Sequence, residues 1–401
     1  MVVDPQTQLD RSADVSPFRR QIQPVLFLAV IFFVNFTARI ILAPLLPTIE
    51  ADLGIRHSMA GSFFFLISAG YFTSLLGSGF FSVHFTHRTV IVVSVACVGL
   101  GLLAISLAKS IWGIRLGLLI MGAAAGLYIP SAIATITSLT DKDHWGKAMG
   151  VHELAPNLAF LVAPALAELL LKWFTWRSAL GVLGVSAIVI SSAFALYGRG
   201  GAFHGEAPSS GSFGVLLRTP SFWLVLWLFG LGVSSTLGVF TMLPLYLVSE
   251  RGMEQAWANS LLALSRAPGP VLALAGGWAS DKLGAKLTMA LSLLISGSAT
   301  LSLGLVPDAW LWAVLFIQPL VAVCFFPAGF ATLARIAPAG GRNLAVSLVT
   351  PCGFVLGGGA VPTFIGMMGD AGLFSWGFVL VGLLLLLGAG LALTLKVSNS
   401  S

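Results

Sequence analysis

The sequence predicts an all-α membrane protein of twelve transmembrane helices arranged as two pseudo-symmetric six-helix bundles. Three observations predict it. Of 401 residues, 57% are hydrophobic and only 9% charged, against roughly 25% charged in soluble proteins. Apolar stretches of the length a bilayer requires, about 20 residues, recur along the whole chain. The second half also repeats the first at a constant offset.

The predicted spans lie at 24–47, 59–82, 89–109, 111–138, 147–171, 176–197, 221–248, 256–279, 286–305, 309–335, 343–368 and 373–396. The widest gap, 198–220, is rich in Gly, Ser and Pro and divides them six and six. The chain therefore reads as a cytoplasmic tail (1–23), an N-terminal bundle (24–197), a cytoplasmic linker (198–220) and a C-terminal bundle (221–397). The tail holds Arg11, Arg19 and Arg20 without an apolar core and cleavage site, so the first helix is expected to be its own insertion signal.

Sliding one half by 198 positions brings Gly54 onto Gly252, Ser62 onto Ser260, Gly79 onto Gly277 and Arg88 onto Lys286. Two bundles related by an axis along the membrane normal form a transporter architecture, with the substrate site between the halves near the bilayer midplane. With both termini in the cytoplasm, thirteen of the 21 Lys and Arg residues fall on inner segments and five on outer loops, as the positive-inside rule requires. A multi-pass protein of the cell's inner membrane is expected, acting as a monomer.

The net charge of +6 reflects this anchoring, and no basic stripe interleaved with aromatics suggests nucleic acid. Cys97, Cys324 and Cys352 fall within spans and lack the spacing of a metal site or disulfide framework. No cofactor or metal is expected. The six histidines form no nucleophile–base or ligand pattern, which argues against a membrane enzyme.

Three arginines, Arg39, Arg115 and Arg266, lie inside spans, where a charge costs at least about 2.5–3.5 kcal/mol and so faces a cavity or a partner. Glu153 is the one acidic residue well inside a span, since Glu168 stands near an outer end. At 1.5 Å per residue, Glu153 and Arg39 are separated by about 14 Å along the membrane normal, too far for a direct pair. The excess of positive charge predicts an anionic ligand gripped by guanidinium forks. The alternative for Arg266 is a bond to helix carbonyls, Ser or Gln318. Arg115, close to the outer interface, either joins the site or snorkels to the headgroups. Asn35, one turn before Arg39, Tyr128 in "GAAAGLYIPSA" (122–132) and Gln318 could complete the site or bond helix to helix. His152 and Glu153 are the candidates for carrying a proton.

The loop "GWASDKLGAKL" (277–287) resembles the major facilitator superfamily signature G-x-x-x-D-[RK]-x-G-x-[KR], with Gly277, Asp281, Lys282, Gly284 and Lys286 at its positions. The resemblance implies a cytoplasmic latch that sets the inward-closed state. The corresponding "GFFSVHFTHRT" (79–89) has Val83 and Thr86 in place of Asp and Gly, leaving His84, His87 and Arg88 as polar candidates. In the first two helices, "ARIILAPLLPTIEADLGIRHSMAGSFFFLISAGY" (38–71) resembles the anion:cation symporters, which include hexuronate, galactonate and sialate carriers. By that resemblance Arg39 engages a substrate carboxylate. The fourth-helix glutamate that carries protons in many of those symporters has no counterpart between 111 and 138.

The resulting expectation is a carrier that imports a small organic anion, a mono- or dicarboxylate or sugar acid, with protons by alternating access. The alternative is export of amphipathic compounds by proton antiport, with "SFFFL" (62–66) and "CFFPAGF" (324–330) lining a greasy cavity. The fifth-helix G-P-x-x-G-G of drug exporters is replaced here by "VAPALAE" (162–168).

Overall fold

The computed structural model describes residues 18–205, 216, 218–336 and 342–395; for 18–20 and 342–344 only the backbone is described. Residues 1–17 of the expected tail and residues 206–215 and 217 of the expected linker lie outside the described residues. Among the described residues the fold is entirely helical, apart from one isolated bridge between Thr86 and His204.

Twelve spans cross the bundle. They are α1 (Phe18–Ile40 and Leu42–Leu53), α2 (His57–His84), α3 (His87–Leu107), α4 (Ile111–Gly126 and Tyr128–Leu139), α5 (Trp145–Leu171) and α6 (Trp176–Tyr197) in the first half. The second half holds α7 (Pro220–Val233 continuing as Val239–Ser249), α8 (Gln255–Arg266 and Gly269–Leu283), α9 (Ala285–Leu305), α10 (Asp308–Ala322 and Phe325–Ile336), α11 (Arg342–Gly353 continuing as Val361–Asp370) and α12 (Phe374–Ala392). Eleven of them are long and apolar enough, by length and composition, to cross a membrane. The twelfth, α8, is divided at Ala267 and Pro268 into segments of 12 and 15 residues.

Proline explains the interruptions. Its ring excludes the carbonyl four residues earlier and it supplies no N–H. Pro44, Pro130, Pro270 and Pro327 act in this way on the carbonyls of Ile40, Gly126, Arg266 and Val323, and each of the four spans breaks there. In α7 and α11 the α-helix instead widens into π turns, Ser234–Gly238 and Phe354–Ala360.

The repeat is visible in the fold. Helices α2 and α8, α3 and α9, and α6 and α12 begin at His57 and Gln255, His87 and Ala285, and Trp176 and Phe374, each pair 198 residues apart. Gly54 and Gly252, also 198 apart, turn the chain in the left-handed region at φ 59° and 63°, where a side chain would be strained. Inside the first half, α2 and α4 approach until a Cβ on Gly122 would lie 2.1 Å from the Ile67 carbonyl oxygen, the close helix packing expected of small residues.

The two halves meet along three seams: α1 with α7, α2 with α11, and α5 with α8. These seams run through Leu42–Leu53, Val239–Ser249, Gln255–Arg266 and Val361–Asp370, at the end of the bundle opposite the described termini. Toward the termini, α4, α10 and the first segments of α1 and α7 make no comparable contact with the other half. The molecule is closed at one end and open at the other.

At the open end the first-half loop is held by the chain that follows α6. The backbone N–H groups of His87 and Arg88 donate to the carbonyls of Phe203 (3.0 Å) and Gly201 (2.8 Å), and that of Gly205 donates to Ser82 (2.7 Å). His87 Nδ1 lies 3.2 Å from Ser131 Oγ, and Arg88 Nη2 donates to the Ala195 carbonyl. In the second-half loop, Gly284 turns the chain at φ 85°, while Asp281 and Lys282 are exposed. Among the described residues neither they nor Lys286 form an ion pair, and a Cβ on Gly277 would meet open space.

Candidate binding site between the halves

Arg39 occupies the last turn of the first α1 segment and Arg266 the last turn of the first α8 segment, each directly before its helix breaks. Both are buried, with 5% and 7% of their surface exposed. Among the described residues, no carboxylate lies within ion-pair distance of either.

Aromatic rings surround each guanidinium. Arg39 Cζ lies 4.1 Å from the Tyr71 ring centre, 4.8 Å from that of Phe354 and 5.2 Å from that of Phe36. Its Nε is buried without a hydrogen-bond partner. Arg266 Cζ lies 4.6 Å from the Phe160 ring and 5.0 Å from the Phe240 ring. Such contacts are worth about 0.5–2 kcal/mol each, so they soften the burial of a cation without neutralising it.

The two cages share a wall. Phe160 packs edge-on against Phe36 at 5.2 Å and against Phe240 at 4.9 Å. Successive separations of 5.2, 5.2 and 4.6 Å, from Arg39 through Phe36 and Phe160 to Arg266, bound the distance between the guanidinium carbons at about 15 Å. The arginines come from different halves and are connected through the rings of Phe36 and Phe160.

The π turn of α7 supplies polar anchors. A π turn displaces the i→i−4 ladder and frees carbonyls. Ser235 O accepts from Gln318 Nε2 at 2.7 Å and Thr236 O from Arg266 Nη2 at 3.0 Å. Gln318 also reaches Thr300 Oγ1 at 3.2 Å and is fully buried, so its amide N–H groups join α10 to α7 and α9. Arg266 uses one of its five N–H donors in this bond, and no other hydrogen bond from it is formed within the described residues.

Asn35 is buried, with Nδ2 3.5 Å from the Ala125 carbonyl of α4, a long helix–helix bond. Arg115 is remote from this cluster: its guanidinium covers the exposed Trp112 ring at 4.8 Å. We expect Arg115→Gln to leave the transport rate within about twofold of wild type, since a surface substitution away from packing costs little; initial-rate measurements in proteoliposomes check this.

Tyr128 and His152 form a second buried cluster. The Tyr128 hydroxyl donates to the Leu28 carbonyl at 2.6 Å, and His152 Nε2 lies 3.1 Å from the Tyr128 hydroxyl oxygen. A carbonyl only accepts and a hydroxyl has one hydrogen, so Nε2 must carry the proton that it donates to Tyr128. Neutral His152 thus keeps its lone pair on Nδ1, which lies 3.5 Å from Glu153 Oε1. The imidazole is stacked 4.6 Å from Phe32 and has no exposed surface.

Glu153 itself is not buried, contrary to the sequence expectation: 55% of its side chain is exposed. Adjacent helical residues project about 100° apart, so α5 buries His152 in the first half and leaves Glu153 on a different, exposed face. As expected, Glu153 forms no pair with Arg39.

Sequence reasoning did not find the rings around the arginines. It also passed over Glu168, which accepts a 2.5 Å hydrogen bond from Asn259 across the α5–α8 seam. The aromatic stretches 62–66 and 324–330 mainly serve packing, with Phe63, Phe64 and Phe325 buried.

The family model of the Major Facilitator Superfamily matches residues 28–270 and 250–400. The chain belongs to the major facilitator superfamily. It is therefore a multi-pass transporter of the alternating-access type. Among solved structures of this fold, a bacterial homologue of the human lysosomal transporter Spinster, in an inward-facing and occupied conformation, superposes with a TM-score of 0.79, covering 94% of this chain and 96% of that one at 16% identity. A peptide transporter, POT, superposes at 0.75, covering 98% of both chains at 16% identity. A POT family transporter in complex with 5-aminolevulinic acid superposes at 0.70, covering 91% and 93% at 14% identity. At these identities the likeness is one of fold. In sequence, the uncharacterized MFS-type transporter YhcA of Bacillus subtilis (strain 168) is 31% identical over 121 residues, which span 30% of this chain and 23% of that protein.

Proposed function

We propose that this superfamily member imports a small organic anion, a mono- or dicarboxylate or sugar acid of the kind carried by the anion:cation symporters, together with protons. One observation carries the reading: two buried guanidiniums, one from each half, share an aromatic wall and lack carboxylate partners. A carboxylate entering between them supplies the missing negative charge and accepts bidentate hydrogen bonds. The charge pattern assigns the open end to the cytoplasm, which makes this arrangement the release state.

His152 is the buried group suited to hold the coupled proton. Uptake at Nδ1 places an imidazolium between the Tyr128 oxygen and the Glu153 carboxylate, and the exposed Glu153 connects that site to water at the open end. Arg39 of the anion site and the proton site at His152 thus lie on neighbouring helices of one half, with Arg266 facing them from the other.

The test is uptake of labelled carboxylates into proteoliposomes with and without an inward proton gradient. We expect gradient-driven accumulation by the wild type. His152→Gln should retain exchange of internal for external substrate but lose accumulation. If the gradient leaves wild-type uptake unchanged for every carboxylate bound, proton coupling is wrong; if no carboxylate binds, the anion reading is wrong.

A further inference from the structure

Glu168 of α5 and Asn259 of α8 face each other across the seam at the closed end. Asn259 is fully buried. Its Nδ2 donates both hydrogens, one to the Pro44 carbonyl of α1 at 3.1 Å and one to Glu168 Oε1 at 2.5 Å. Because a carbonyl cannot donate, Pro44 fixes which amide atom is the nitrogen. The amide oxygen, Oδ1, is left buried without a donor, an arrangement that costs free energy in any folded state that keeps it.

An ionised Glu168 cannot satisfy that oxygen. A carboxylic acid can: its carbonyl oxygen accepts from Nδ2–H while its hydroxyl donates to Oδ1, closing a two-point ring between acid and amide. We infer that Glu168 is a proton-binding gate residue, and that the closed end shuts on its neutral acid form. The proton comes from water on that face while the seam is open and returns there when it reopens.

The surrounding charges leave this site to Glu168. On the elements packed around this end of α5, Glu50 of α1 is paired with His57 at 2.8 Å, and Asp52 accepts from Trp176 Nε1 at 3.0 Å with Arg177 of α6 at 3.8 Å. Glu254, directly before α8, and Lys172, directly after α5, are exposed, and among the described residues neither forms an ion pair with Glu168. Arg266 lies two helical turns from Asn259, on the ligand side.

The duplicated seam shows that the scaffold does not require this pair. The positions 198 residues away from Asn259 and Glu168 are Gly61 and Gly366, on the α2–α11 seam. There the backbones touch: a Cβ on Gly61 would lie 2.4 Å from the Pro362 carbonyl oxygen, and one on Gly366 2.3 Å from that of His57. One seam closes by backbone contact and the other through a titratable side chain.

The inference rests on alternating access but not on the substrate. Spin labels at Trp173→Cys and Trp257→Cys, exposed positions flanking the α5–α8 seam, report its opening by pulsed dipolar spectroscopy in nanodiscs without substrate, with Cys97, Cys324 and Cys352 replaced by alanine. As pH rises from 5 to 9, the closed-to-open ratio should fall by up to tenfold per unit, the slope of one proton. Glu168→Gln, whose amide can both accept from and donate to Asn259, should remain closed with no slope. Asn259→Ala should be more open, also without slope. A pH-independent wild type, or either variant keeping the wild-type slope, would overturn the proposal. A failure of carboxylates to bind would leave this readout untouched.

Discussion

Replacing Arg266 by alanine should weaken binding of the carboxylate proposed as substrate by about 30-fold to several thousand-fold, corresponding to the 2–5 kcal/mol lost when one member of a buried charge pair is truncated. The ligand-free protein should meanwhile melt at the same temperature or higher. That combination separates recognition from scaffolding. If the guanidinium mainly braced α8 against α7, its removal would lower the melting temperature. The structure gives it one hydrogen bond, to Thr236 O, and two ring contacts, against the cost of an uncompensated buried cation. Arg266→Lys should recover only part of the affinity, since an ammonium keeps the charge but lacks the planar fork. Ligand-induced shifts in melting temperature, measured beside apo values, check all three outcomes. Unchanged affinity in Arg266→Ala would sink the two-arginine site.

Gly61→Val should slow transport roughly 100-fold while leaving substrate affinity within a few fold of wild type. Its Cβ would meet a backbone oxygen at 2.4 Å and the Pro362 carbonyl carbon at 2.9 Å, atoms of a helix that cannot rotate away as a side chain could. The clash exists only when the closed end is closed, so the substitution selects against that state. A carrier holding its required state about 1% of the time cycles about 100-fold more slowly. Gly77→Ala on the same helix is the control: a Cβ there meets nothing within 4 Å. Label accessibility at the closed end should rise in Gly61→Val and stay at the wild-type level in Gly77→Ala. Wild-type transport by Gly61→Val would show that the α2–α11 seam never closes this tightly in the cycle.

Much of the architecture was legible because membrane insertion writes itself into composition. Apolar runs gave all twelve spans, and the 198-residue offset reappears as three identically spaced pairs of helix starts. The isolation of Arg39 and Arg266 from carboxylates followed from there being too few acids to pair them. The rest was hidden for definite reasons. The rings around Arg266 come from α5 and α7, and packing between helices distant in sequence leaves no periodic trace. An apolar span predicts a buried Glu153, yet a helix directs neighbouring residues to different surroundings. Glu168 looked unremarkable near a helix end; only the seam shows that its partner is a wholly buried amide. The helix breaks were present in the sequence as prolines, and their effect falls four residues upstream of where the eye stops.

The interruption of α8 also bears on how the chain enters the membrane. Its two segments, of 12 and 15 residues, are each shorter than a bilayer is thick, and the junction carries Arg266 with two prolines beside it. As a lone hydrophobic peptide this stretch is a poor candidate for spontaneous partitioning. Its stable place depends on carbonyls that α7 exposes only after its π turn has formed, and on rings from α5 in the other half. Biogenesis must therefore deliver α7 and α5 before α8 can settle, making the helix that carries Arg266 a late arrival in assembly.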